Sequence, residues 1–502
     1  MIYGGLCVQQ YSLIILSFFT FGCISTYNYT TRAVSADEKC SKVNIQKCYE
    51  SDRISFVRDQ DQIKTVDEVR IGPRFDPPLS DVELSESLVF CRYYFHEFSS
   101  EGSAKFMCAK TNSSGELFND YGKIIKNAKS IATNKMNIRS QLNGREVLVD
   151  EGVLLDENNM PIIQSYKTKS GEIKEKFVEG DLIKVKYFID QEQTKGLVKR
   201  STIELFTSGK NIKLVDVFVG PSELSNFRWT EIFTEVASTR LFWTLGFPAD
   251  RTQPLKKLVC FGCNQHPKEQ SEYLDQSTSL FQTVSLEKKF KAKKLNDTAS
   301  IEQMTAAYMT NKWSTKTQSE FEQLILLSRL IGYSNAAESQ NRLVCEKDDF
   351  DSDTQTCSKP IALIQDLGGS WAWRLEGVFD KVSAYLKYRD KPRGDFNRYS
   401  KNKIFKNGCE LTFPFGKTDS KSPYQLTRIS EGGRIGLLKR LDQLTDEHII
   451  SIFETARFGD INPNHRNKQE GSNLDDKRDQ IVKLWVNAFK DKIAEIRAAR
   501  CD

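Results

Sequence analysis

The residues able to do chemistry in this chain are few and unevenly placed. Asp366 ends a short apolar run, residues 361–365, and is followed by Leu367 and the pair Gly368 and Gly369. A buried strand that delivers one carboxylate to a turn is a common way to present a metal ligand. Lys184 and Lys186 share one face of the alternating run 181–188, with Ile183, Val185 and Tyr187 on the other. Glu231 and Glu235 stand one helical turn apart in residues 230–245, where Thr230 reads as a cap and Gly246 and Pro248 as stop signals. Cys260 and Cys263 form a C-x-x-C. A zinc site needs four ligands, which Cys345, Cys357 and a lone His266 do not complete, so a disulfide is the better reading. Asp349, Asp351 and Asp353 alternate as calcium ligands do. Thr354 and Pro360 stand where an EF-hand requires Gly and Glu, which leaves a looser calcium site or a solvated acidic hairpin tip. The chain has four histidines and no G-x-S-x-G, H-E-x-x-H or Walker A pattern, which leaves few candidates for His-based hydrolysis.

The elements that must position these residues divide the chain. Residues 88–95 and 104–109 read as a hairpin, 111–175 as a polar insertion, and 181–188 as the clearest strand of the first half. Strands are also expected at 212–219 and 258–261. Residues 321–331 form a helix broken at Gly332, followed by a loop and the strand 342–345. Two consecutive helices span 433–444 and 445–458. The last helix is amphipathic, with Ile481, Leu484, Trp485, Ala488, Phe489, Ile493 and Ile496 in one stripe. No internal repeat is read. The expected organisation is a leader at 1–26, an exposed segment at 27–85, a β-rich part at 86–270 and a helical part at 271–502.

Composition narrows the function classes. With 502 residues, 39% hydrophobic and 28% charged, the chain has ample material for a folded core. Its net charge of +5, from 72 basic and 67 acidic residues, argues against nucleic acid as a partner. Residues 13–24 have the length of a signal-peptide apolar core, and Gly22-Cys23 has the ending of a bacterial lipoprotein signal. The expectation is an exported protein, in the periplasm, outer envelope or extracellular space, with Cys23 as a possible lipid anchor. Twelve cysteines suit disulfides there, and the close pairs 40/48, 91/108, 260/263 and 345/357 point to local staples.

Strand pairs, then a helix, then a mostly helical half with a central loop and an Asp-Leu-Gly turn follow the chain order of protein-kinase-like folds. Residues 182–187, 235–250, 258–263, 328–345, 362–369, 429–458 and 485–500 resemble a family of exported bacterial proteins of uncharacterised function. That family is distantly similar to atypical kinases such as the HipA-type toxins and the secretory-pathway kinases. The resemblance implies an α+β fold with a bilobal atypical-kinase-like core: a β-rich N-terminal lobe with insertions and a mostly helical C-terminal lobe. It implies that Lys186, or Lys184, meets the phosphates of ATP, that Glu235, or Glu231, steadies that lysine, and that Asp366 binds magnesium. Gln340 or Asn341 would assist with the metal. At the general-base position the resemblance places Asn335, with Tyr333 replacing the usual histidine. An amide has no useful proton affinity near neutral pH, so Asn335 implies a pseudokinase that binds a nucleotide or phosphorylated ligand with phosphotransfer absent or altered. Glu338 is a substitute acid if it reaches the cleft. The rival expectation is a non-catalytic envelope protein whose fold serves a protein partner.

Overall fold

Five stretches of alternating apolar residues close on one another. They are β1 (Leu88–Glu97), β2 (Ser103–Thr111), β3 (Leu182–Phe188), β4 (Arg251–Phe261) and β5 (Thr278–Lys288). Hydrogen bonds run β3-β2-β1-β4-β5, and β5 pairs back onto β3, so the sheet closes into a barrel. Val89, Phe106, Ile183, Val185, Leu255, Leu258, Val284 and Leu286 fill it, with the Cys91–Cys108 disulfide among them. The computed structural model describes residues 40–58, 62–71, 88–97, 103–133, 138–168, 170–188, 204–207, 210–213, 216–218, 230–262, 278–288, 292–296, 301–333, 341–365, 367–371, 396–415, 426–460 and 474–501. The leader and Cys23 lie outside them. Among the described residues no helix is long and apolar enough to cross a membrane.

The protein is mixed α+β. Outside the barrel lie α1 (Val66–Ile71), α2 (Thr230–Thr244), which crosses β4, and the antiparallel pair β6 (Asn341–Cys345) and β7 (Ile361–Ile364). Behind them lie α3 (Thr315–Leu330), α4 (Glu431–Leu441), α5 (Asp446–Thr455) and α6 (Leu474–Ala498). Ser314, Ser430 and Thr445 cap α3, α4 and α5 by accepting from backbone N–H groups of the first turn. The stripe read on α6 buries Trp485, Ala488, Phe489, Ile493 and Ile496, but Leu484 is 42% exposed. At 3.6 residues per turn it lies at the margin of the arc that Trp485 centres.

Three expectations change. Residues 40–71 are not an exposed segment: Cys48, Tyr49, Phe56, Val57 and Val69 are buried in the largest core. Phe56 meets Trp313 edge-on and Phe321 at a tilt, with centroids 5.2 and 5.1 Å away, and the Trp313 indole donates to the Tyr49 carbonyl. This segment is polar in sequence because only a few scattered apolar residues face inward. The boundary at 270 also separates two paired strands, since Phe261 pairs with Thr278 and Arg251 with Lys288. The basic run at 288–294 hid a strand that ends where it begins. Finally, the insertion 111–181 does contain a recurring turn. At Asn112, Asn119 and Asp156 the side-chain Oδ1 accepts from the N–H groups two and four residues on. The residue three on, Gly115, Gly122 or Asn159, takes a left-handed φ. Spacing between the turns is irregular, so no period announces them.

The Cys40–Cys48, Cys91–Cys108 and Cys345–Cys357 disulfides are the local staples expected. Cys409–Cys501 is not local: 92 residues separate its ends, and it ties the strand Glu410–Phe415 to the end of α6.

Close helix approach gives one prediction. Gly433 of α4 faces Glu322 of α3, and a Cβ there would sit 2.5 Å from the Glu322 Cβ. Gly433→Ala is expected to destabilise by roughly 1–3 kcal/mol. Gly432→Ala, where the nearest atom is 3.6 Å away, is the near-neutral control. Equal melting temperatures for the two variants would refute the close packing.

Candidate functional site

The site is built on the outer face of the barrel, where α2 lies across β4 and β5. Ile183 and Val185 point into the barrel core, so Lys184 between them points out. Its register partner is Glu287 of β5, and Nζ lies 3.2 Å from Oε2, with the side chains 18% and 10% exposed. Most of the water that would screen such a pair is gone. Beside it, Asp250 is 2% exposed. Burial pushes its carboxyl well above the usual 3.8, and the charges of Glu287 and Glu235 act in the same direction. A hydrogen bond from Gln365 and the charge of Lys184 oppose the rise without cancelling it.

Backbone pairing fixes this acid against the Asp366 turn. The Ile364 N–H donates to the Pro248 carbonyl at 3.2 Å, and the Asp250 N–H donates to the Ile364 carbonyl at 3.3 Å. Gln365 Nε2 donates to Asp250 Oδ1 at 2.9 Å. Tyr333, fully buried, donates its hydroxyl to the Gln365 carbonyl at 3.3 Å. Beyond the turn, Thr234 of α2 donates to the Gly368 carbonyl at 2.7 Å. The helix that carries Glu235 and the turn after Asp366 are therefore directly bonded.

The residues expected from sequence fall as follows. Lys184 and Glu235 are brought into one electrostatic neighbourhood, with Asp250 between their influences. Lys184 is ion-paired with Glu287, a partner the sequence reading did not consider. Lys186 stands two residues along β3, opposite Ser285, and Glu231 one turn before Glu235 on α2. Asn341 is fully buried at the start of β6, opposite Ile364. Asp366, Asn335, Glu338 and Gln340 lie outside the described residues.

Of the residues expected for calcium, Asp349, Asp351 and Asp353, the first two have carboxylates that bond within the hairpin itself. Asp351 accepts from the N–H groups of Asp353 and Thr354, and Asp349 accepts from the Ser358 hydroxyl. Among the described residues no three or more His, Cys, Asp or Glu gather as a metal site. Cys260 is disulfide-bonded and so is not a zinc ligand.

Sequence reasoning missed Asp250, Glu287 and Gln365. Glu287 precedes a run of lysines and looks like a surface charge, and Asp250 follows a helix stop and looks like a turn residue. Only strand register reveals them.

No protein-family model matches the chain, and no characterised protein matches it in sequence. Among solved structures, a Helicobacter pylori proinflammatory kinase, CtkA, is similar at 12% identity and a TM-score of 0.29, over 60% of this chain and 91% of that one. A likeness that loose does not extend to the placement of side chains.

Proposed function

We propose that this is an exported kinase-like protein that binds a nucleotide or phosphorylated ligand, with phosphotransfer absent or altered. The observation that carries the reading is the largely buried Lys184–Glu287 pair beside Asp250 and Glu235, with Glu235 on a helix bonded to the turn that follows Asp366. Lys184 would meet a phosphate, and Asp366, with Asn341 or Gln340, would hold the magnesium that accompanies it. Magnesium would offset the phosphate charge beside the carboxyl groups. Asn335 at the general-base position supports the loss or alteration of transfer. The four disulfides among the described residues support export, since they persist in oxidising compartments.

A thermal-shift titration with ATP and magnesium tests this. At about 100 times Kd, binding is expected to stabilise the protein by roughly 2.7 kcal/mol. Asp366→Ala should abolish the magnesium-dependent part, and Lys184→Gln should weaken binding about tenfold or more. An unchanged melting temperature of the wild type up to millimolar Mg·ATP would remove the nucleotide reading.

A second reading, binding of an envelope protein partner, is favoured by the insertion. Its hairpin Ile163–Lys167 and Ile173–Phe177 exposes Ile163, Tyr166 and Ile173 by 39%, 43% and 74%. Deleting that hairpin would abolish partner capture and leave nucleotide binding intact.

A further inference from the structure

Trp371 combines features that local energetics do not favour. Its φ of 59° is left-handed, a conformation that strains a bulky side chain, yet the residue is completely buried. Several contacts over-determine it. The Trp371 N–H donates to the Ile331 carbonyl at 2.6 Å, and its indole N–H donates to Ser238 Oγ at 2.8 Å. Its ring meets Tyr399, Phe453, Phe458 and Phe489 with centroids 5.1–5.8 Å apart.

Ser238 lies on α2, one turn after Thr234, and both are fully buried. Residues i and i+4 share a helix face, so these two hydroxyls form a single row. Thr234 holds Gly368 and Ser238 holds Trp371, which are three residues apart on the turn. Glu235, next to Thr234, projects about 100° around the helix and contributes its charge at Asp250. One helix thus supplies charge on one face and a grip on the other. Strain of this kind persists only where the surroundings hold it, and here they hold the turn that follows Asp366.

We propose that Thr234 and Ser238 are positioning residues that lock α2 to residues 367–371 through Gly368 and Trp371, so that the ligand face is assembled before the ligand arrives. The ligand in question is the magnesium-chelated phosphate of the preceding reading, on which the inference rests. A locked site binds in one step. A site that must close first shows a ligand-independent isomerisation whose rate limits association at high ligand concentration.

The test compares Thr234→Val and Ser238→Ala with the wild type and with Thr234→Ser, which keeps the donor. Two readouts are needed: hydrogen exchange of the amides at 367–371, and stopped-flow plus calorimetric binding of Mg·ATP. Exchange at the turn is expected to rise about tenfold or more in Thr234→Val and Ser238→Ala, and Mg·ATP affinity to fall about tenfold with a saturating kinetic phase that the wild type lacks. Thr234→Ser should restore both. A purely structural role would lower melting temperature without adding that phase. Unchanged exchange at the turn in both variants, or a saturating phase already present in the wild type, would overturn the lock. Should the wild type bind no Mg·ATP, the nucleotide reading falls, and the exchange measurements alone decide whether the lock exists. If Thr234→Val does not fold, Ser238→Ala carries the comparison.

Discussion

Arg240→Met is expected to cost roughly 3–5 kcal/mol, because it removes a buried cation from the acceptors arranged around it. Arg240 is wholly buried on α2, and burial pulls its guanidinium down to about 9, still charged at neutral pH. Nη1 donates to the carbonyls of Val69 and Arg70 at 2.7 and 2.8 Å, and Nη2 donates to Gln253 Oε1 at 2.5 Å. These acceptors come from the last turn of α1 and from β4, so one side chain joins the N-terminal segment, the helix and the barrel. Methionine matches the length but leaves three buried oxygens without this donor. Arg240→Lys should recover only part of the loss, since a point charge cannot span a fork. Melting temperature should fall by roughly 3–5 °C for Arg240→Met. A fall below about 2 °C would show that the segment 62–71 is held by apolar contact alone.

For Asp250→Asn the expected signature is a change with pH. The carboxyl of Asp250 is raised well above 3.8 by burial first and then by Glu287, with Glu235 adding to it. Below pH 3.8 both the folded and unfolded states hold the proton. Above it the unfolded chain releases the proton while the native protein keeps it, so folding binds a proton and stability declines by about 1.4 kcal/mol per pH unit until the native group ionises. Asparagine keeps the acceptor for Gln365 and cannot ionise. The variant should therefore match the wild type near pH 4 and gain on it above that, by roughly 1–2 °C per unit, until the native carboxyl ionises. A gap that stays constant from pH 5 to 8 would mean that Lys184 holds Asp250 ionised in the native protein.

Local structure was largely legible. The helix at 230–244, the hairpin at 88–111 and the strand at 182–188 follow from caps, stop signals and period-two alternation, which act within a few residues. Lys184 and Glu235 were legible as types on particular faces. Their setting was not, because Glu287 is brought to Lys184 by a register 103 positions away. Nothing local in residues 278–288 states which strand they will join. The burial of residues 40–71 was hidden for a similar reason. A few aromatics such as Tyr49 and Phe56 carry it, and composition averages them away against polar neighbours. Trp371 illustrates the limit well: its type suggests a core residue, while its backbone strain and its bond to Ser238 exist only in three dimensions.

The burial of the N-terminal segment also sets an order of events during synthesis. Ser55 pairs with Ile361, Cys40 lies opposite Cys357, and the Ser314 N–H donates to Asp52 at 2.5 Å. The segment that leaves the ribosome early has its structural partners about 260 to 320 residues later, so it must wait while most of the chain is made. Its own Cys40–Cys48 link closes over only eight residues and needs none of those partners. That short covalent loop can form first and then dock as a finished piece. A folding assay would see it as an early oxidation followed by a late burial of Phe56 and Tyr49.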